Sequence, residues 1–217
     1  MEISGFAAGP YKTNCYIVSD NGRAFVVDPG MHAVDRVVQA TESLQLEAVF
    51  LTHGHFDHTR SAGDLAAKFE IPVYIHAADE FWLNDMTDLP SQMQALFDVA
   101  NMVPIKDLRI IGTPGLRNEP ISLELLGHHF RVVHAPGHSP GCVMLQNEDV
   151  IFSGDVLFRG AIGRTDLPFS DQQAMISSLR EVVAVLPDEL AVLPGHGPTT
   201  VMKYEKATNP FLAEYRG

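Results

Sequence analysis

The sequence predicts an α/β fold, an αββα sandwich in which two mixed sheets pack face to face and helices cover their outer faces. Short apolar runs typical of buried strands come in two blocks, and helical patterns accompany each block. Histidine and aspartate residues follow several of these runs, and strand ends are where α/β folds place their chemistry. We expect one domain over residues 1–217, because no repeat or linker divides the chain and its 46% hydrophobic content is enough for a large core.

The first block predicts four strands and two helices. Residues 48–51 form an uninterrupted apolar run, as expected of a buried strand. Residues 64–69 have a strongly helical pattern, and Pro72 lies just beyond the end of this helix. The predicted strands lie near 13–19, 23–28, 47–51 and 72–76, and the helices near 32–44 and 60–69.

The second block resembles the first. Its predicted strands lie near 121–126, 129–134, 141–146, 149–153 and 190–193, and its helices near 171–185 and 199–206. Two such blocks, each with its helices outside, favour the sandwich over a single open sheet.

Residues 79–120 fit this pattern least well. The segment is rich in apolar side chains, including Trp82, and is interrupted by Pro90, Pro104 and Pro114. Apolar residues at helical spacing favour a helical insert packed on the sandwich. The alternative is a lid over the functional site, in which Trp82 forms an apolar wall for the substrate.

Four residues of the types that bind metals lie directly after the apolar run 48–51. His53 and His55 are two positions apart, so in extended chain their side chains point to the same side and can share one metal ion. Asp57 and His58 follow where the chain turns into the next helix, and they can face a second ion. A single buried histidine is usually a core residue, but four histidine and aspartate residues within six positions favour a metal site.

Three further candidates lie in turn-rich loops after apolar runs. They are His138, Asp155 and His196, each preceded by glycine. Glycine and proline fix the backbone of such turns, which would hold a ligand rigidly beside a strand. Imidazole and carboxylate together suit zinc, iron, manganese or nickel.

These motifs resemble the metallo-β-lactamase fold superfamily. The similar segments are T-H-G-H-F-D-H at 52–58, P-G-H-S-P-G at 136–141, S-G-D-V-L-F at 153–158 and P-G-H-G at 194–197. Within that superfamily, G-R-T-D-L-P at 163–168 and Y-E-K-A-T-N-P-F at 204–211 resemble the short, single-domain glyoxalase II-like hydrolases. The resemblance covers nearly the whole chain, from about Thr13 to Phe211, and implies the αββα metallo-β-lactamase sandwich.

The resemblance also implies a ligand set and an activity. Two divalent metal ions, zinc first, with iron or manganese as alternatives, would share a hydroxide that attacks a thioester carbonyl, with Asp57 orienting the nucleophile. A thiolate leaving group needs little protonation, which suits a site without a dedicated general acid. The implied ligands are His53, His55 and His138 for one metal, Asp57, His58 and His196 for the other, and Asp155 as the bridge between them.

The substrate is less defined than the reaction. Arg164 either pairs with Asp166 or contacts an anionic group of the substrate, and Lys203 is a weaker candidate of the second kind. The longer glyoxalase II enzymes hold glutathione with a C-terminal helical domain, whereas this chain ends at Gly217, soon after His196. The acyl group and the thiol carrier therefore stay open.

Other functions remain as alternatives. Mononuclear-iron persulfide dioxygenases are similar, and the residues that match His53, His138 and Asp155 would bind their iron. The sequence P-G-H-G-P around His196 favours the hydrolases. A hydrolase of lactones or esters and a non-catalytic metal-binding module are further alternatives. A β-lactamase is disfavoured by Asp155, where many lactamases carry a cysteine.

Charge and composition exclude several partners. A net charge of −12 and a pI near 5.1 argue against nucleic-acid binding. No apolar stretch approaches the roughly 18 residues of a membrane span, and the N-terminus lacks a secretory signal pattern. Two cysteines do not make a disulfide framework. We expect a cytoplasmic enzyme that acts on a small molecule, with its oligomeric state open.

Three further histidines have weaker assignments. His128 and His129 are expected at the surface. His134 precedes the His138 loop and is a candidate for holding the outer nitrogen of a metal ligand.

Overall fold

A computed structural model describes residues 1–84, 90–116 and 121–215 of the chain. Its first sheet has six strands that lie side by side in chain order. These strands are β1 (Glu2–Ala8), β2 (Thr13–Asp20), β3 (Arg23–Val27), β4 (Gln45–Phe50), β5 (Val73–His76) and β6 (Leu108–Ile111). Pairs β1–β2 and β2–β3 are antiparallel, whereas β3–β4, β4–β5 and β5–β6 are parallel.

The helices of the first half connect these parallel strands. Helices α1 and α3 lie in the connections from β3 to β4 and from β4 to β5, as expected of parallel crossovers. A 3-10 turn, Ala77–Asp79, follows β5, and a second one, Val99–Asn101, precedes β6. The helices are α1 (Val34–Ala40), α2 (Phe56–Thr59), α3 (Ala62–Phe69), α4 (Phe81–Asn84) and α5 (Ser91–Leu96).

The second sheet also has six strands, in the order β14-β13-β10-β9-β8-β7. Strands β10 and β13 are parallel and the other neighbours are antiparallel, so both sheets are mixed. A separate pair, β11 (Leu157–Phe158) and β12 (Ala161–Ile162), forms a small hairpin. The sheet strands are β7 (Ile121–Leu125), β8 (His128–His134), β9 (Val143–Gln146), β10 (Val150–Gly154), β13 (Ala191–Pro194) and β14 (Thr200–Val201), followed or separated by helices α6 (Gln172–Glu181) and α7 (Met202–Thr208).

The two sheets pack face to face through a shared apolar core. Phe25 of β3 and Phe130 of β8 contact edge to face with ring centroids 5.5 Å apart, and neither side chain is exposed. Phe50 of β4 and Phe152 of β10 lie in the same cluster. Because alternate residues of a strand face opposite sides, the remaining apolar residues point away from this interface.

The outward-facing residues pack against helices. Val37 of α1 and Leu65 of α3 join the outer face of the first sheet in one buried cluster. Met175 of α6 and Met202 of α7 do the same for the second sheet. This arrangement confirms the predicted αββα sandwich of two mixed sheets.

Five strands were not predicted from the sequence: the edge strands β1, β6 and β14, and the two hairpin strands β11 and β12. At β14 the sequence predicted the start of a helix near 199–206, whereas α7 begins at Met202. Strand β1 is exposed along most of its length and contains Gly5, so its apolar alternation is weak. Strand β6 has four residues and pairs only with β5. An edge strand buries less of its surface than a central one, which leaves a weaker hydrophobic pattern to detect.

Residues 79–120 form a mixed segment. The prediction of a helical insert over this whole range is wrong at its C-terminal side, because β6 extends the first sheet there. Helices α4 and α5 are short, at four and six residues. Residues 85–89 and 117–120 of this segment lie outside the described residues. No helix in the described part of the chain combines the length and apolar character needed to cross a membrane.

Candidate metal centre

Residues 51–58 run from the end of β4 into the first turn of α2 and carry four of the predicted ligands. His53 is fully buried and His55 half-buried before the first turn of α2, which contains Asp57 and His58. The residue between the two histidines is Gly54, and a Cβ atom there would lie 2.4 Å from the Trp82 ring. Glycine at this position therefore allows the indole to pack directly against the ligand loop.

Three imidazoles converge on one point. The distance from His53 Nε2 to His55 Nδ1 is 3.1 Å, and the distance from His55 Nδ1 to His138 Nε2 is 2.9 Å. Ligand atoms about 2.0–2.1 Å from a tetrahedral zinc ion lie roughly 3.3 Å from one another. The spacing of these nitrogens is close to that of ligands around one ion.

A second group of donors lies beside the first. His58 Nε2 is 3.3 Å from His196 Nε2, and His196 Nε2 is 3.2 Å from Asp57 Oδ2. The third distance, from His58 Nε2 to Asp57 Oδ2, is 3.5 Å. These atoms again have the spacing of ligands that share an ion.

Asp155 lies between the two groups. Its Oδ1 is 3.3 Å from His58 Nε2, and its Oδ2 is 3.4 Å from His138 Nε2. Oδ1 is buried and accepts no hydrogen bond from the described residues. A buried carboxylate oxygen without a donor is unfavourable, and a bound cation would compensate for it.

Glycines allow the chain to approach Asp155 closely. A Cβ atom on Gly195 would lie 2.2 Å from Asp155 Oδ1 and 2.6 Å from His58 Cε1. A Cβ atom on Gly163 would lie 1.8 Å from the Asp155 backbone oxygen. The glycines of two sequence motifs therefore make room for the centre.

Backbone carbonyl groups orient two of the imidazoles. His138 Nδ1 lies 2.9 Å from the Arg164 carbonyl oxygen, and His196 Nδ1 lies 3.2 Å from that of Tyr11. A carbonyl only accepts, so each Nδ1 must carry the proton. The lone pair of each Nε2 then faces the centre, as metal binding requires.

Asp28 orients the imidazole of His58. Its Oδ2 lies 2.9 Å from His58 Nδ1 and accepts a 2.7 Å hydrogen bond from Thr52 Oγ1. Because Thr52 donates its proton to Asp28, it can only accept at 3.1 Å from His53 Nδ1. One buried carboxylate thus leaves the Nε2 lone pairs of both histidines facing the centre.

The protonation of the first group favours neutral ligands. Burial, and then the charge of His58, holds the pKa of His53 well below its usual range. Burial and the neighbouring His138 lower the pKa of His55 to about 3. Both imidazoles are therefore neutral and able to bind a cation.

In the second group the surroundings favour charged side chains, in contrast to the neutral imidazoles of the first group. Burial opposes a charged His58, but the carboxylates of Asp57, Asp155 and Asp28 raise its pKa well above the usual range. Burial likewise opposes ionised Asp57 and Asp155, and the adjacent imidazoles, His58 first, lower the pKa of both. Positive charge is thus stabilised at the position where a divalent ion would carry it.

Asp79 connects the two loops of the first group. Its Oδ2 accepts hydrogen bonds from Gly54 N at 2.8 Å and Ser139 Oγ at 2.5 Å, and its Oδ1 accepts one from Gly141 N at 2.6 Å. The side chain is fully buried, and burial raises its pKa despite these donors. The carboxylate links the loop that carries His53 and His55 to the loop that carries His138.

Asp28 and Asp79 contact a predicted ligand or the ligand loops, and the sequence analysis did not single them out. A signal existed for each, since both are acidic residues that follow an apolar strand run, β3 and β5 respectively. Asp28 also has a positive φ of 50°, followed directly by Pro29 and Gly30. Their partners lie 24 to 62 residues away in the chain, so only the fold reveals the contacts.

The centre opens into a pocket of about 650 Å³. The pocket is lined on one side by metal-centre residues and elsewhere mainly by aromatic and aliphatic side chains. The lining residues are Tyr11, His55, Phe56, Asp57, Trp82, Pro90, Met93, Phe97, His138, Asp155, Phe158, Ile162, Arg164, Leu167, Pro168 and His196.

The predicted substrate contacts fall in different places. Trp82 lines the pocket, with its ring centroid 5.1 Å from that of His55. Arg164 also lines it, but its guanidinium group pairs with Asp166 through two contacts of 2.7 and 2.8 Å. Lys203 is exposed on α7, and the structure places it outside the pocket lining.

The described contacts of His134 are with Pro140 and His76. Its Nε2 lies 2.9 Å from the Pro140 carbonyl oxygen, and its ring stacks on His76 with centroids 4.1 Å apart. The outer nitrogens of His53, His58, His138 and His196 instead contact Thr52, Asp28 and two carbonyl groups. His128 and His129 lie at the surface as expected, with His128 Nε2 2.9 Å from Asp20 Oδ2.

Comparison with known proteins gives one consistent family. Residues 8–196 match the family model of the metallo-β-lactamase superfamily. A probable metallo-hydrolase of Bacillus subtilis is 36% identical, and the match covers 98% of each chain. A hydroxyacylglutathione hydrolase of Haemophilus influenzae is 35% identical, also over 98% of each chain.

Solved structures support the same family. The B3 metallo-β-lactamase BLEG-1 is 35% identical with a TM-score of 0.84, over 98% of this chain and all of that one. A di-iron-bound form of TTHA1623 is 34% identical with a TM-score of 0.76, over 96% of this chain and all of that one.

Proposed function

Because the chain belongs to the metallo-β-lactamase superfamily, we propose that it is a metal-dependent hydrolase whose substrates are thioesters. The similarity to a probable metallo-hydrolase supports metal-dependent hydrolysis as the general reaction. The similarity to a hydroxyacylglutathione hydrolase supports the thioester as the bond that is hydrolysed. The reaction converts an S-2-hydroxyacyl thiol and water to a hydroxy acid and a free thiol.

The donor set of the centre carries this proposal. Five imidazoles and two carboxylates converge as two groups joined by Asp155. The outer nitrogens of four imidazoles, His53, His58, His138 and His196, have oxygen acceptors that leave the inner lone pairs available. We propose two divalent ions, zinc first and iron or manganese as alternatives, held by the ligands that the sequence predicted. When bound, such ions lower the pKa of a bound water toward neutrality and polarise a carbonyl group.

Asp57 is proposed to orient the attacking water. Its Oδ2 accepts a 2.7 Å hydrogen bond from Thr13 Oγ1, which fixes the carboxylate at the pocket side of the centre. Adjacent His58 lowers the pKa of Asp57 against the effect of burial, so the group stays ionised and accepts protons in hydrogen bonds.

The leaving group also fits this site. Attack of water on the carbonyl carbon forms a C–O bond, and departure of sulfur breaks the C–S bond. A thiol has a pKa near 8.5, so a thiolate departs without a proton donor. In the described pocket lining, the Tyr11 hydroxyl is directed at Met93 Sδ, 3.4 Å away, and no carboxylic acid is held protonated for this purpose.

The test is metal content measured beside a panel of substrates. Protein purified without added metal is analysed for elements, then assayed on S-lactoylglutathione, a β-lactam, a lactone and glutathione persulfide. About two metal ions per chain with thioester cleavage would support the proposal. An Asp155→Asn variant should lose both metal and cleavage if the activity depends on the centre. Asp35→Asn, at an exposed position of α1, is the control and should keep both.

Two other results would replace the proposal. The similarity to BLEG-1 makes β-lactam hydrolysis the second candidate, and β-lactam cleavage without thioester cleavage would favour it. One iron per chain with oxygen consumption on persulfide would instead indicate a dioxygenase. In either case the cellular setting we propose is the cytoplasm, with a small-molecule substrate and no nucleic-acid or membrane partner.

A further inference from the structure

The walls of the pocket above the metal centre are apolar. Its volume of about 650 Å³ lies within the roughly 300–1,000 Å³ typical of pockets that enclose drug-sized ligands. A three-carbon hydroxyacyl group would leave much of that space empty. The walls consist largely of Phe56, Trp82, Met93, Phe97, Ile162 and Leu167.

Charge is nearly absent from these walls. Among the described residues that line the pocket, Arg164 is the single lysine or arginine. Its guanidinium group already makes a two-point contact with Asp166, at 2.7 and 2.8 Å. Among the described lining residues, there is therefore no unpaired lysine or arginine to bind a substrate carboxylate.

The apolar surface continues beyond the pocket mouth. Phe81 is 40% exposed and Phe169 is 66% exposed, although both are large aromatic residues. Their ring centroids lie 5.0 and 5.5 Å from that of Trp82, respectively. The three rings are in contact, and Trp82 is the one that lines the pocket.

We propose that the substrates are thioesters with an apolar acyl group, medium-chain aliphatic or aromatic, which occupies the wall formed by Trp82, Met93 and Leu167. The thiol part carries no carboxylate that the protein must bind. This inference rests on the proposed thioester hydrolysis and names the substrate class of that site.

The energetics favour this class over acyl-glutathione. Apolar surface that leaves water contributes about 25 cal/mol per Å², so a longer acyl chain gains affinity from these walls. The two carboxylates and the amides of glutathione would instead lose water without finding matching partners, which is unfavourable. The acyl group should therefore raise the selectivity, and glutathione should not be preferred over a neutral carrier.

The first test measures binding without catalysis. Trp82 is the only tryptophan of the chain, so its fluorescence reports occupancy of the pocket. On metal-loaded protein, octanoate should give half-saturation at a concentration at least about tenfold below that of acetate. Leu167→Ala should weaken octanoate binding several-fold, whereas Leu116→Ala, an exposed leucine outside the lining, should not change it.

The second test measures hydrolysis of a matched series. Acetyl, hexanoyl and octanoyl thioesters of N-acetylcysteamine are compared with the same acyl groups on glutathione. We expect kcat/KM to rise by about tenfold or more from acetyl to octanoyl, since each methylene in a hydrophobic pocket has a large effect. Glutathione as the carrier should give no higher kcat/KM than N-acetylcysteamine, because the described pocket lining offers its carboxylates no unpaired lysine or arginine.

The outcomes separate the two proposals. Thioester cleavage with equal kcat/KM for acetyl and octanoyl, or a tenfold requirement for glutathione, overturns the apolar substrate class and keeps the hydrolase. Absence of cleavage on every thioester overturns the proposed thioester hydrolysis, and octanoate binding that depends on Leu167 would still support the apolar ligand class. Equal binding of octanoate and acetate overturns that class whatever the reaction.

Discussion

At the scale of single residues, the centre depends on hydrogen bonds made behind its ligands. His53, His58, His138 and His196 each have an oxygen acceptor at Nδ1. That contact fixes the tautomer whose Nε2 lone pair faces inward. The convergence of the predicted ligands could be expected from sequence because four of them lie within positions 53–58. Asp28 and Asp79 instead act through contacts between distant segments, and no local pattern encodes those contacts.

Asp57→Asn should reduce turnover much more than substrate affinity. An amide has a weaker acceptor oxygen and cannot carry the negative charge that the centre stabilises at this position. We expect kcat to fall about 100-fold or more, with KM within a few-fold, which is the size of effect typical of a proton-accepting group. Steady-state kinetics would be measured on protein of verified metal content, and a variant with unchanged kcat at full metal occupancy would contradict the role.

Asp79→Asn tests the link between the two ligand loops. The Asp79 carboxylate accepts three hydrogen bonds. In asparagine one of the two oxygens is replaced by an NH₂ group, which would face another donor. That donor is Gly141 N in one orientation, and Gly54 N together with Ser139 Oγ in the other. We expect the metal affinity to fall roughly 10–100-fold, as for other residues that orient ligands. The measurement is a competitive titration with a chelator, which reports metal binding independently of turnover.

Asp35→Asn is the matched control for Asp79, because Asp35 is exposed on α1 and lies outside the pocket lining. Equal affinities for wild type, control and Asp79→Asn would show that the linkage does not affect the centre.

At the scale of secondary structure elements, burial decided what the sequence could predict. Strand β4 and helix α3 were predicted because a fully apolar run and a helical pattern ending near Pro72 are both strong signals. The edge strands β1, β6 and β14 were not, since each pairs on one side only and is short or largely exposed. The edge strand β7 was predicted because its apolar and polar residues alternate. The apolar segment that contains α4 and α5 could not be assigned, because periodicity does not distinguish a core-facing helix from one that lines a pocket.

Strand β5 ends in a buried histidine pair that should affect acid stability. His76 stacks on His134, and burial, followed by this neighbour, lowers the pKa of His76 to about 4. The unfolded chain then binds a proton near pH 6.5, before the folded chain does. The contribution of His76 to stability is thus complete above pH 6.5 and decreases as pH falls toward 4.

His76→Asn would remove this pH dependence and keep an acceptor for the Ala78 N–H, which now bonds His76 Nδ1 at 3.2 Å. We expect a lower Tm at neutral pH from lost packing, with a smaller further decrease between pH 6.5 and 4 than in the wild type. Thermal unfolding across that range gives both slopes, and His129→Asn at the exposed surface is the control. Parallel slopes for wild type and His76→Asn would rule out this contribution.

Helix α4 places Trp82 between the ligand loop and the pocket. Trp82→Ala should raise KM because it removes a wall of the pocket, and it should lower kcat less since the ligands have their own hydrogen bonds. Leu96→Ala is the control, because Leu96 is exposed on neighbouring α5 and lies outside the pocket lining. An unchanged KM with a lower Tm would mean that Trp82 only packs against Gly54.

At the scale of the whole molecule, the centre joins the two halves of the sandwich. Residues 53–58 follow a strand of the first sheet, whereas Asp155 and His196 follow strands of the second, β10 and β13. Asn14 of β2 also donates hydrogen bonds to the carbonyl groups of Pro194 and Gly197, on either side of His196. Metal bound here would therefore connect both sheets and stabilise the folded state as a ligand does.

Metal removal should accordingly lower the stability of the entire domain. A ligand present at about 1,000 times its Kd stabilises the folded state by roughly 4 kcal/mol, and each kcal/mol shifts Tm by about 2–4 °C for a chain of this size. We expect chelation to lower Tm by roughly 10 °C and added metal to restore it. Asp155→Asn should lose most of this shift because Asp155 contacts both donor groups. A metal-free protein, verified by elemental analysis, with the Tm of the loaded form would show that the centre and the fold are not coupled.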